Sequence, residues 1–124
     1  MLKVNDYWKE GRYFDLWLIN HVLSGIVLGI VLFYFGLSLI LSLIVALILF
    51  VGWEVAEILL GIKEHTPNMI MDVGCDFAGF AITSYFYFVL LKPFSLTTSL
   101  VFFILFIGFN LWGFIAYEKR HRLE

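Results

Sequence analysis

The chain has 124 residues, 62% of them hydrophobic and only 15% charged, with a net charge of −2 at neutral pH. Its mean hydropathy is +0.96, whereas soluble domains carry roughly 45–50% apolar residues, so an ordinary soluble enzyme is excluded. The length suits one domain, and the single cysteine, Cys75, rules out an intrachain disulfide.

Residues 1–14 set Lys3, Asp6, Lys9, Glu10 and Arg12 among Tyr7, Trp8, Tyr13 and Phe14, a mixture suited to the lipid headgroup layer. No basic leader with a cleavage site follows Met1, so the first apolar segment is expected to serve as its own insertion signal. That segment, 15–35, is apolar apart from Asn20, His21 and Ser24. It gives about 31 Å of helix, enough to span a bilayer. Gly36 stands where a helix C′ glycine belongs and Ser38 where an N-cap belongs, which divides a run too long for one span. A second helix is expected over 39–60, capped by Gly61. Lys63, Glu64 and His65 form a short turn. Thr66 and Pro67 open a third helix, 67–91, as N-cap and N1, and Lys92-Pro93 closes it. Ser95 or Thr97 starts a fourth, 96–117, before a polar tail over 118–122. Leu123-Glu124 reads as a cloning remnant and is left out of the functional reading.

The expected fold is therefore all-α: a polytopic integral membrane protein with four transmembrane helices, forming a single domain over 1–122. Lys3, Lys9, Arg12, Lys63, Lys119, Arg120 and Arg122 fall on one side and Lys92 on the other. The excess of cations places both termini in the cytoplasm, in a cytoplasmic (inner) membrane. Trp8, Trp17, Trp53 and Trp112 fall near that face, where an aromatic belt is expected.

Carboxylates break the apolar pattern. Glu54 and Glu57 stand three apart, while Asn68, Asp72 and Asp76 stand four apart, so each set shares a helix face. At 1.5 Å per residue, His21, Glu54, Asp72 and Asn110 all lie roughly 7–11 Å in from the cytoplasmic helix ends, with Glu57 shallower and Asp76 deeper. Ionised groups are costly in hydrocarbon, so such a layer is a functional-site hypothesis by default. Four like charges cannot all stay ionised without cations or shared protons. Glu54, Glu57, Asp72, Asp76 and His21 offer oxygen and imidazole ligands to a divalent metal such as Mg²⁺, Mn²⁺, Fe²⁺ or Zn²⁺. A neutral carboxyl relaying protons and a hydrogen-bonded network that only fixes helix register are the other readings. No standard metal-binding signature is matched.

His21 shares a face with Gly25 and Gly29, glycines that permit close helix approach, so that face is expected to be buried. The histidine is either a ligand or base, or only a hydrogen-bond partner to a neighbouring acid. Asp72, Asp76, Gly79 and Thr83 continue one face of the third helix, and Cys75, off that face, reads as filler. Asn68, Asn110 and His65 are candidates for contacting substrate; for His65, and for Glu64 beside it, solvated loop positions are the plainer reading.

An acidic residue followed by a histidine in the first span, then Glu-x-x-Glu/Gln, then Asp-x-x-x-Asp/Asn before a glycine, resembles the VanZ-like membrane proteins and the related YjdF-type proteins. The matching residues are Asp15, His21, Glu54, Glu57, Asp72, Asp76 and Gly79. Two positions depart: Glu57 and Asp76 stand where the pattern usually has glutamine and asparagine. The usual arginine ahead of the first aspartate is also missing, with His65-Thr66-Pro67 in its place. The resemblance implies a role in the bacterial cell envelope, including antibiotic resistance, and an envelope lipid or lipid-linked substrate. It supplies no reaction.

The leading expectation is a metal-dependent hydrolase or transferase acting on a lipid or lipid-linked phosphate, with His21, Glu54 and Asp72 catalytic. The rivals are a small proton- or cation-coupled transporter, in which the chain would form a homo-oligomer, and a non-catalytic envelope accessory protein. Nothing in the sequence points to nucleic acid.

Overall fold

The computed structural model describes residues 7–9 and 11–123, and all its regular structure there is helical. The helices are α1 (Trp17–Tyr34), α2 (Leu39–Leu59), α3 (Thr66–Ser84) and α4 (Leu96–Leu123), with a π-helical segment, Tyr85–Val89, continuing α3. Lys3, Asp6, Glu10 and Glu124, which entered the readings of the interfacial segment, of orientation and of the closing pair, lie outside the described residues.

The turns follow the punctuation of the sequence. Gly36 has φ +74° and Gly61 φ +77°. At the end of α1, Gly36 N–H donates to Phe33 O (3.0 Å) and Leu37 N–H to Leu32 O (3.1 Å). At the end of α2 the same pair of bonds runs from Gly61 to Ile58 O (3.1 Å) and from Ile62 to Glu57 O (3.0 Å). Each is a Schellman cap, which needs a left-handed residue at C′. Replacing Gly36 or Gly61 with alanine is expected to cost about 1 kcal/mol each, readable as a small drop in thermal midpoint in detergent. Ser38 caps α2 by accepting from Leu41 N–H (3.3 Å), and the Ser95 hydroxyl accepts from Thr98 N–H (3.1 Å) at the start of α4.

Several boundaries differ from expectation. Asp15 lies ahead of α1, where its carboxylate accepts from Trp17 N–H (3.0 Å) and Gly11 N–H (3.1 Å). The N-cap of α3 is His65, not Thr66, because Asn68 and Met69 N–H both donate to the His65 carbonyl. The α-helical part of α3 stops at Ser84. The chain then widens into the π-helical segment and turns at Leu91 (φ +51°), two residues before Pro93. The polar tail expected beyond 117 is the last part of α4, held by a Glu118–Arg122 pair one turn apart and by basic residues at the helix C-terminus.

Three helices, α1, α2 and α4, are long and apolar enough to cross a membrane. Side chains of α2 and α4 such as Ile40, Ile48, Ile58, Ile104 and Leu111 are exposed, which suits immersion in lipid. The α3 helix carries Asn68, Asp72 and Asp76, and all three are buried.

The centre of the molecule is the crossing of α1 with α3. A Cβ on Gly25 would collide with the Asp76 carbonyl, and one on Gly79 with the Val22 carbonyl; a Cβ on Gly29 would sit 2.8 Å from Thr83 Cβ. The two backbones touch because these positions have no side chain, the small-residue packing that brings membrane helices together. Thr83 Oγ1 donates across the crossing to Ile26 O (3.2 Å). Beyond it, Phe33, Ala46, Phe50 and Phe80 form the apolar core. Phe33 meets Phe80 at 5.6 Å and Phe88 at 4.9 Å between ring centroids.

At the other end, Trp8 is buried at 1% exposure. Its ring packs edge-on against Trp17 (4.7 Å) and Trp112 (5.2 Å), and its carbonyl accepts from Trp17 Nε1 (3.1 Å). Trp8 is thereby pinned between α1 and α4.

Candidate acidic and histidine site

The α1–α3 crossing decides what His21 meets. Gly25 is one turn further along α1 and Gly79 less than a turn beyond Asp76, so close approach at the glycines carries His21 onto the acidic face of α3. Its Nδ1 is 3.0 Å from Asp76 Oδ2 and its Nε2 is 3.6 Å from Asp72 Oδ2. With Asp76 ionised, the carboxylate can only accept, so Nδ1 carries the proton and Nε2 presents its lone pair towards Asp72. Two electron-rich atoms face each other there. That arrangement needs a proton between them, carried by the ring or by Asp72, or a cation.

Glu54 completes the group from α2. One ligand atom from each of His21, Glu54 and Asp72 lies within 4.8 Å of the others. Glu54 is 5% exposed, and both of its carboxylate oxygens lack a hydrogen-bond partner. Oδ1 of Asp72 and Oδ1 of Asp76 are buried and unpartnered as well. Buried polar atoms are almost always satisfied, and a buried carboxylate without a partner is costlier than a neutral group. This donor set, oxygens with one imidazole, is one that a divalent cation satisfies.

Asn68 is fully buried. Its Nδ2 donates to Asp72 Oδ2 (3.3 Å) and to Glu64 Oε1, so it ties the loop before α3 to the cluster. Glu64, Glu54 and Glu57 form a second group whose ligand atoms lie within 4.8 Å of one another. His65 is exposed and supplies its carbonyl as a cap. Cys75 is half-buried. The Asn110 amide donates to Phe106 O (2.7 Å) on its own helix, so it does not join the acids directly.

Asn110 instead lines a cavity of about 400 Å³ reached by all four helices. One end is polar, with Asn20, His21, Ser24, Asp76 and Asn110; the rest is apolar, with Val31, Leu49 and Phe106 among its walls. A smaller cavity of about 130 Å³, beside Glu57 and Tyr117, shares Trp53 and Asn110 with it. Asn20 is the residue that sequence reasoning passed over. It is 5% exposed with both amide atoms unpartnered. Positions 20, 24, 27, 28 and 31 share a face adjacent to that of His21 and Gly25, and that spacing could have flagged it.

Taken together, the described residues form an all-helical protein with three helices long and apolar enough to cross a membrane and a buried cluster of acids around one histidine. Comparison with protein-family models, curated proteins and solved structures returns no match. The resemblance to VanZ-like proteins therefore rests on its seven positions alone.

Proposed function

We propose that this chain is a four-span enzyme of the cytoplasmic membrane, with both termini inside, that uses a divalent cation to act on the phosphate of a lipid or lipid-linked substrate. The observation that carries the reading is Glu54, a carboxylate 5% exposed with both oxygens unpartnered, set against His21 and Asp72. His21 would bind through Nε2, with Asp76 holding the ring through Nδ1. Such a carboxylate–histidine–metal relay fixes both tautomer and ring orientation. When bound, the cation supplies a Lewis acid for a phosphoryl oxygen and activates water.

The membrane reading counts α3 as a fourth span. Residues 66–89 form one continuous helical path of about 36 Å, and its buried polar residues lower its hydropathy without shortening it. The bias of Lys9, Arg12, Lys63, Lys119, Arg120 and Arg122 against Lys92 supports the orientation. A lipid substrate is supported by the larger cavity, whose polar end abuts His21 and Asp76 while its apolar part runs towards the middle of α1 and α2. A headgroup would then meet the acids while a chain follows the apolar wall.

The test is elemental analysis of detergent-purified protein after incubation with Mn²⁺, Mg²⁺ or Zn²⁺, followed by phosphate release from phosphatidic acid and polyprenyl phosphate vesicles. Near-stoichiometric metal in wild type, with phosphate release at least ~100-fold lower in Asp72→Asn, is the expected result. Metal-free protein after repletion would overturn the reading. It would favour the rival that His21 suggests by lying between two aspartates: a doubly protonated ring in a proton-coupled carrier.

A further inference from the structure

We infer that the site is binuclear: a second divalent cation is held by Glu54, Glu57 and Glu64, with Glu54 bridging it to the one at His21 and Asp72. This rests on the metal reading above and extends it. Glu54 belongs to both groups of converging ligand atoms and has two buried oxygens, neither with a hydrogen-bond partner. A carboxylate with both oxygens unengaged can give one to each of two ions. Paired ions in phosphoryl-transfer sites lie about 3.5–4 Å apart, the span of a bridging carboxylate.

Asn68 provides the frame. It is fully buried, and one amide nitrogen donates to Glu64 and to Asp72, an acid from each group. The loop glutamate is thus fixed relative to the α3 aspartate by a side chain that contacts both. The remaining Asn68 atom, Oδ1, is buried and unpartnered, a further oxygen donor beside the two groups. Chain geometry delivers the second group simply. Glu57 is one turn beyond Glu54 on α2, and the Schellman turn at Gly61 folds Glu64 back alongside them.

For the reaction, His21, Asp72, Glu54, Glu57 and Glu64 would hold the two ions, which would supply Lewis-acid stabilisation to an in-line displacement at phosphorus. The P–O bond to the leaving group breaks as the bond from water oxygen forms; water's proton passes to a carboxylate or solvent, and the leaving oxygen takes up a proton from the same source to depart as the alcohol. Asn68 would be a positioning residue, because it contacts ligands rather than substrate.

Mn²⁺ titration of the full chain in detergent reads this directly, with bound metal counted by elemental analysis and its state read by electron paramagnetic resonance. The expected result is about two Mn²⁺ per chain with the spectrum of an exchange-coupled pair. Glu64→Gln and Glu57→Gln should each bind one Mn²⁺ and give an uncoupled six-line spectrum. Both variants are judged only if they elute as the same monodisperse species as wild type. Glu64 is on a half-buried loop and provides the milder change. One Mn²⁺ in wild type at saturation, uncoupled and unaffected by Glu64→Gln, overturns the second position while leaving the first. No bound Mn²⁺ overturns both.

Discussion

Gly25→Ala is expected to be among the most damaging single changes in the chain, although it adds only a methyl group. The new Cβ would meet the Asp76 carbonyl, and the Phe80 amide nitrogen lies 2.7 Å from the same point. These are backbone atoms of a packed helix, so no side chain can rotate away. The α1 and α3 helices must separate, and the Thr83–Ile26 bond and the His21–Asp76 contact stretch with them. Overpacking of this kind costs about 1–3 kcal/mol, occasionally more, and a backbone collision belongs at the upper end. The checks are thermal midpoint in detergent and Mn²⁺ affinity, and both should fall although no ligand is altered. Gly52→Ala and Gly108→Ala are the controls. A Cβ at either position meets nothing within 4 Å, so neither measurement should drop. If Gly25→Ala matched these controls, the close crossing could not be what brings His21 to the acids.

The second large effect separates binding from stability at Glu54. If the proposed cation site is right, Glu54→Gln should bind no metal, because an amide offers one weak oxygen where a carboxylate offers two charged ones. The metal-free variant should nevertheless melt higher than metal-free wild type, since an unpartnered buried charge is replaced by a neutral group of the same shape. Wild type should be stabilised by saturating Mn²⁺, by about 2.7 kcal/mol at a hundredfold excess over Kd, and the variant should not respond. Asp76→Asn makes the comparison informative. It keeps an oxygen for His21 Nδ1 but removes the charge behind the ring, so metal affinity should fall about 10–100-fold without vanishing. A Glu54→Gln variant that melts below metal-free wild type would show that Glu54 serves a structural bond, and the cation reading would lose its support.

The cavity and the site make a related point about approach. His21 and Asp76 line the larger cavity, yet Glu54 and Asp72 are its neighbours rather than its walls. On the proposed reading, a substrate in the cavity would meet the histidine side first, with Asn20 and Asn110 flanking it. On that reading these two amides, one with both atoms unpartnered and one engaged on its own helix, would be the polar groups that hold a headgroup in register.

Much of this architecture is legible in residue order because it depends on local chemistry. Gly36, Ser38, Gly61 and Ser95 stop or start helices through backbone conformation and capping bonds that need only neighbouring residues. Faces are local too: a spacing of four puts Asn68, Asp72 and Asp76 on one stripe of α3 and His21, Gly25 and Gly29 on one stripe of α1, wherever those helices go. The π-helical widening after Ser84, the extension of α4 to Leu123 and the cap at His65 are the local features that propensity did not reveal, since each is a choice between helical geometries of similar energy.

Which stripe faces which neighbour is a different kind of question. An apolar helix such as α2 offers lipid or protein an almost uniform surface, so its sequence leaves open that Glu54 turns inward against His21 while Trp53 stays half exposed. Nor do spacings alone show that Asp76, expected a turn deeper than the rest, makes the shortest contact to His21, or that Asn110 faces a cavity instead of an acid. Residue order determined the helices, their polar stripes and the presence of buried acids, because those follow from periodicity and the cost of charge in an apolar setting. The meeting of His21 with Asp72 and Asp76 was decided by tertiary packing, because it depends on how closely Gly25 and Gly79 let two backbones approach; the burial of Trp8 was decided by its packing against Trp17 and Trp112.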